Sequence, residues 1–159
     1  MFPLLDSIML ALTAVGRGGG VWIAIVILGA AIGRLRGYTL LRVAVALVLA
    51  LIVSEVVLKP RVHEPRPYEV NPRAVVIGAR PGGYSFPSGH ATGSFSAAVA
   101  LSRAWPGGAV AWFVVAALVS YSRVYLGVHS WFDVLGGVLI GVACGYVAMN
   151  VGRSPTSSA

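Results

Sequence analysis

His129 and Asp133 stand four residues apart in the stretch Gly-Val-His-Ser-Trp-Phe-Asp that begins at Gly127. On a helix they share one face. A carboxylate bound to one imidazole nitrogen fixes the tautomer and leaves the other nitrogen free to attack an electrophile. Two other stretches carry groups that suit a phosphate in that role. Lys59 and Arg66, within Lys-Pro-Arg-Val-His-Glu-Pro-Arg-Pro, and Arg123, just upstream of His129, supply positive charge. A guanidinium meets phosphate oxygens with two parallel donors, and a lysine meets them as a point charge. Pro87-Ser88-Gly89-His90 precedes an apolar run, so Ser88 is expected to cap a helix whose first N–H groups face an anion. Gly89 leaves the approach unblocked, and His90 at the same rim can donate a proton to a leaving oxygen. The chemistry these residues suit is phosphoryl transfer to imidazole. His129 attacks phosphorus, His90 protonates the departing group, and water then releases phosphate with His90 as base. Lys59, Arg66, Arg123 and the Ser88–Gly89 amides hold the developing negative charge, so the scheme needs neither metal nor cofactor.

Each group also has a plainer reading. His63 reads as a loop residue. His90 alone could be a histidine at a helix start, and His129 alone a satisfied interfacial one. A His and Asp at this spacing could ligate a metal, although the sequence has no His-Glu-x-x-His and Cys144 lies too far along the helix to join them. Any single basic residue could serve lipid headgroups. These readings leave unexplained why all three segments fall on one side of a bilayer.

That a bilayer is involved follows from composition. The 159 residues are 57% hydrophobic and 11% charged, against about 25% charged in a soluble domain. The net charge of +7 lies between apolar runs, which reads as membrane topology plus an anion site and not as nucleic-acid binding. Cys144 stands alone, so no intrachain disulfide can form. The first residues lack the basic stretch that opens a signal peptide.

The elements that must position the chemistry are helices. The expected fold is an all-α integral-membrane bundle of about five spans, with one phosphatase domain over residues 1–153 and a disordered tail, Ser154–Ala159. Pro3–Val15 is short and is expected to lie in the interface, with a short span as the alternative. The spans are Gly18–Gly33, Val43–Leu58, Ser88–Ser102, Ala109–Tyr121 entered from Pro106, and Asp133–Asn150. Glu55 precedes Lys59 by one turn, a spacing that favours an ion pair. Pro60–Pro87 is dense in proline and glycine, which excludes a helix there; loops of that length are uncommon unless functional or disordered. Gly89, Gly93 and Ala97, and Gly137, Gly141 and Gly145, recur every four residues and let helix backbones approach. The second stripe continues the line of His129 and Asp133. Counting spans puts the reactive groups on one side and the acid-free loops with Arg34, Arg36, Arg42, Arg103 and Arg153 on the other. The positive-inside rule places that second side in the cytoplasm and the reactive side outside, at a cell membrane.

Lys-x6-Arg-Pro (Lys59, Arg66, Pro67), Pro-Ser-Gly-His (Pro87–His90) and Ser-Arg-x5-His-x3-Asp (Ser122, Arg123, His129, Asp133) together resemble the three-part signature of the type 2 phosphatidic acid phosphatases. Vanadium haloperoxidases share that signature, but the spans argue against one here. The resemblance implies a helical bundle with an extracytoplasmic site and His129 as nucleophile. It implies a lipid substrate held in the bilayer, with polyprenyl (undecaprenyl) diphosphate favoured over phosphatidylglycerol phosphate or phosphatidic acid. Many bacterial members have six spans, with an interfacial helix between the first two; this chain looks like one that begins at that helix. The partners implied are the membrane and its lipids, with a homo-oligomer possible. A small lipid-binding or transporter-associated protein would explain the hydrophobicity but not the charges.

Overall fold

The computed structural model describes residues 2–150. The expected domain end at residue 153 and the tail Ser154–Ala159 lie outside them. Eight α-helices are described, and no β-strand occurs among the described residues: α1 Pro3–Gly16, α2 Gly20–Ala31, α3 Gly37–Leu51, α4 Lys59–Val62, α5 Pro67–Val70, α6 Gly89–Ala104, α7 Ala109–Tyr125 and α8 Trp131–Asn150. Among the described residues, four segments are long and apolar enough to cross a membrane: Pro3–Ala31, Tyr38–Val70, Pro106–Tyr125 and Trp131–Asn150. Their outer faces show Leu28, Leu41, Val110, Phe132 and Leu139, an apolar surface suited to lipid.

The bundle is built around α6. At 16 residues it is about 24 Å long, and α3, α7 and α8 pack against it. Enclosure by protein explains its modest hydropathy. Its serines make hydrogen bonds inside the bundle: Ser96 Oγ donates to the Ala46 carbonyl at 2.9 Å, and Ser94 Oγ accepts from Trp22 Nε1 at 3.3 Å. The glycine stripe of α8 lies on the α6 backbone. A β-carbon at Gly137 would stand 2.8 Å from the Ser88 carbonyl and one at Gly145 2.6 Å from that of Ser96, and one at Gly141 would overlap the Thr92 carbonyl. The two helices therefore run parallel in close register, which carries Asp133 to the start of α6. The Gly89, Gly93 and Ala97 stripe turns elsewhere: Gly89 faces Glu55 and Gly93 faces Leu47.

The N-terminal helix differs from a free interfacial one. Gly18 and Gly19 adopt positive φ (60° and 77°) and break Pro3–Ala31 into two helices. α1 stays at the site end of the bundle, where Asp6 accepts from Tyr125 Oη at 2.7 Å and Thr13 Oγ1 lies 2.8 Å from Ser122 Oγ. α2 runs towards the opposite end, where Gly29 packs on Leu35 and Trp105.

The expected second span does not stop at Lys59. α3 continues through a π-helical stretch, Ile52–Leu58, into α4, which ends at His63 in the left-handed conformation (φ 54°). Helix within the proline-rich region corrects the expectation that its breakers exclude one. Pro60 and Pro67 sit in the first turns of α4 and α5, where a missing N–H costs little. The loop beyond α5 is pinned and not free. Tyr68 Oη donates to the Pro81 carbonyl, Ser85 N–H to the Glu64 carbonyl at 2.8 Å, and Ile77 N–H to the Leu126 carbonyl at 3.1 Å. Gly127, at φ 73°, passes so close to the Val75 carbonyl that a side chain would collide with it.

Candidate active site

His129 sits on the short connection between α7 and α8, 96% buried. Its Nδ1 faces Asp133 Oδ2 at 3.5 Å and Ser85 Oγ at 3.4 Å, and Ser85 donates to the same carboxylate oxygen at 2.6 Å. Ser130 and Asp133 fix each other: the Ser130 N–H donates to Asp133 Oδ2 at 2.7 Å, and the Asp133 N–H donates to Ser130 Oγ at 3.1 Å. This reciprocal pairing is a capping box that opens α8. It explains why a carboxylate in the first turn also reaches back to an imidazole. The other imidazole nitrogen, Nε2, faces Arg66 Nη1 at 3.4 Å. An Nδ1–H tautomer suits both neighbours, with the proton towards the carboxylate and the Nε2 lone pair towards the guanidinium. Burial holds the His129 imidazole below the usual histidine range, Asp133 opposes that shift, and the charges of Arg66 and Arg123 reinforce it.

Arg66 is clamped above the ring. Its Nε donates to the Gly83 carbonyl at 2.9 Å, Nη2 to Gly82 at 3.1 Å and Nη1 to Val128 at 3.0 Å. Arg123, on the last turn of α7, donates from Nη1 to Thr13 Oγ1 at 3.0 Å, while its buried Nε has no partner. His90 Nε2 lies 3.2 Å from the Thr13 carbonyl. Ser88 begins α6 as expected, but its side chain does not cap the helix. Its Oγ is buried without a partner, and its N–H donates to the Asp133 carbonyl at 3.0 Å. That amide is therefore spent on holding α8, which removes it from the expected anion-binding set. Buried donors left unpaired are costly unless something else fills them. Here the unpaired atoms of Ser88 and Arg123 belong to the same cluster.

The structure thus gathers Arg66, Arg123, His90, His129, Asp133 and the start of α6. Lys59 is joined to this cluster through Glu55: its ammonium binds that carboxylate at 2.8 Å, and Glu55 Oε1 lies against Gly89. His63 caps α4 and packs edge-on against Tyr84. Three participants escaped the sequence reading. Ser85 lies in the loop and touches both members of the His–Asp pair. Thr13 ties α1 to Arg123 and His90. Arg17, at the break between α1 and α2, lies close enough to add its charge at Arg123. An apolar cavity of about 430 Å³ adjoins the cluster, lined by Ile23, Leu47, Val48 and Leu51 together with His90, Gly89, Ser54 and Glu55.

A helical bundle with an imidazole, a carboxylate and buried guanidiniums at one end offers charges and a ring nitrogen that suit a phosphate group. Residues 39–155 match the PAP2 superfamily, and the chain belongs to that family. It is 35% identical over 153 residues to the undecaprenyl-diphosphatase of Sulfolobus acidocaldarius, covering 92% of this chain and 70% of that one. Among solved structures it resembles LpxE of Aquifex aeolicus, at TM-score 0.80 and 28% identity over 94% of this chain and 87% of that one. It also resembles the PAP2-type phosphatidylglycerolphosphate phosphatase of Bacillus subtilis, at TM-score 0.73 and 28% identity over 93% and 76%. The Bacillus subtilis structure is that of a transmembrane phosphatase, and this chain is a multi-pass membrane protein of the PAP2 superfamily.

Proposed function

We propose that the protein hydrolyses a lipid phosphate or diphosphate through a phosphohistidine at His129. The observation that carries this is the His129 ring itself, with Nδ1 towards Asp133 and Ser85 and Nε2 towards Arg66. Nε2 attacks phosphorus while the P–O bond to the leaving group breaks, and His90 supplies the proton that the departing oxygen takes up. Water then attacks the phosphohistidine, gives its proton to His90 and frees inorganic phosphate. Arg66 and Arg123 hold the charge on the equatorial oxygens, with the unpaired Ser88 Oγ, the Gly89 amide and Lys59 completing the cage. These groups do the work for which other phosphatases use a metal ion.

The apolar cavity beside His90 suits a substrate whose tail stays in the bilayer. The similarity to an undecaprenyl-diphosphatase favours a polyprenyl diphosphate, and the similarity to a phosphatidylglycerolphosphate phosphatase supports a lipid monophosphate as the second reading. The site is assigned to the extracytoplasmic face of the cell membrane, because the opposite end carries Arg34, Arg36, Arg42 and Arg103 without an acid. Phosphate release from a panel of polyprenyl diphosphate, phosphatidylglycerol phosphate and phosphatidic acid, with and without EDTA, tests this. Turnover that survives EDTA and disappears in His129→Ala is expected. Undiminished turnover in His129→Ala would overturn the assignment.

A further inference from the structure

Glu55 has no part in the transfer just described, yet it borders the site. Its carboxylate oxygens lie 2.8 and 2.9 Å from Lys59 Nζ. Oε1 also lies against Gly89, where an added β-carbon would stand 2.5 Å from it. The Glu55 side chain is 44% exposed and that of Lys59 12%. An acidic group on an apolar membrane segment is costly, and a half-exposed ion pair returns little. A neutral residue would fit and would leave Lys59 free, so stability alone does not explain the carboxylate.

The cavity that Glu55 borders has Val48 and Leu51 in its wall, both more than half exposed on the outer surface of the bundle. It therefore opens sideways, onto lipid. A bilayer surrounds such an opening with phosphodiester headgroups, each carrying one negative charge shared by its non-bridging phosphate oxygens. An uncovered cation cage there would fill with the surrounding lipid.

We propose that Glu55 sets a charge threshold for entry. It holds Lys59 in an ion pair that a singly charged phosphodiester does not displace. A terminal phosphate, which carries about 1.5 to 2 negative charges at pH 7, or a diphosphate, does. Glu55 is then a specificity-determining residue that acts through Lys59. The inference rests on the lipid phosphatase reading above.

The test uses full-length wild type and Glu55→Gln in dodecyl maltoside micelles doped with increasing phosphatidylglycerol. The first readout is hydrolysis of a lipid monophosphate. Wild type keeps its KM as phosphatidylglycerol rises. Glu55→Gln starts from a lower KM, which then climbs by about fivefold, the upper end for a partly exposed ion pair, with kcat little changed. The second readout is the phosphatidylglycerol retained by the purified protein in native mass spectrometry, which needs no turnover. Retention rises about fivefold in Glu55→Gln on the same scale, and the substitution has no effect in a Lys59→Met background. A KM insensitive to phosphatidylglycerol in Glu55→Gln, a fall confined to kcat, or equal retention would overturn the proposal. If wild type hydrolyses no lipid phosphate, the phosphatase reading fails, and retention still decides the role of Glu55.

Discussion

The imidazole of His129 carries the account at the scale of single residues. Its neutral form is the nucleophile, and burial lowers its pKa from the ordinary 6.5. Acidification therefore protonates it only below that value, and kcat/KM should stay level as pH falls through 6.5 before it drops. The acid limb of the profile is the measurement. Asp133→Asn removes the contribution that raises this pKa, so the limb should move lower still, while kcat falls about 10²-fold or more by loss of the fixed tautomer. Arg123→Ala should lower kcat by about 10²- to 10³-fold, the range for one charge-stabilising donor, as read by steady-state kinetics in detergent. The pairing of His129 with Asp133 was legible from their four-residue spacing, but not its basis: the ring lies on the turn before α8, and the Ser130–Asp133 capping box, not a shared helix face, brings the carboxylate to it. Arg66 and Arg123 were legible as charges suited to phosphate. Ser85 and Thr13 were not, since a hydroxyl in a loop and one on an apolar helix carry no pattern until the chain folds. Ser88 was legible as a helix start but not as an unpaired hydroxyl, because its side chain is diverted from capping.

The contact between α6 and α8 decides whether those residues meet. Gly137, Gly141 and Gly145 lie on the carbonyls of Ser88, Thr92 and Ser96, so the stripe sets both the distance and the register that bring Asp133 to the start of α6. Gly141→Leu should force the helices apart at a cost of about 1–3 kcal/mol, seen as a lower Tm in detergent and a loss of activity together. The periodicity announced that these helices pack closely, but not that the stripe of α6 would turn towards α3. Glycine spacing names a face and leaves its partner open. The π-helical stretch was equally hidden. It follows apolar residues that would suit an ordinary α-helix, and only the fold shows the chain widening just before Lys59 and Pro60.

At the scale of the molecule, the apolar runs marked a multi-pass bundle and placed its central helix among the spans, but not its role as the element the others pack around. α6 is short and rich in Ser, Thr and Gly, because it meets protein on nearly every side and satisfies its hydroxyls there. α1 was expected as an element lying on the membrane; the structure ties it to the site through Thr13. Thr13→Val keeps the shape and removes the hydroxyl that receives Arg123. It should therefore raise KM for the lipid substrate several-fold while Tm changes by little, a contrast that kinetics and thermal unfolding read side by side.

The phosphoenzyme tests the central claim most directly. Purified protein mixed with substrate labelled on its terminal phosphate, and quenched within milliseconds in alkali, should carry label that is stable to base and labile to acid. Peptide mapping should place that label on His129, and it should be absent from His129→Ala. Label on another residue, or turnover by wild type that passes through no labelled protein at any quench time, would contradict the account.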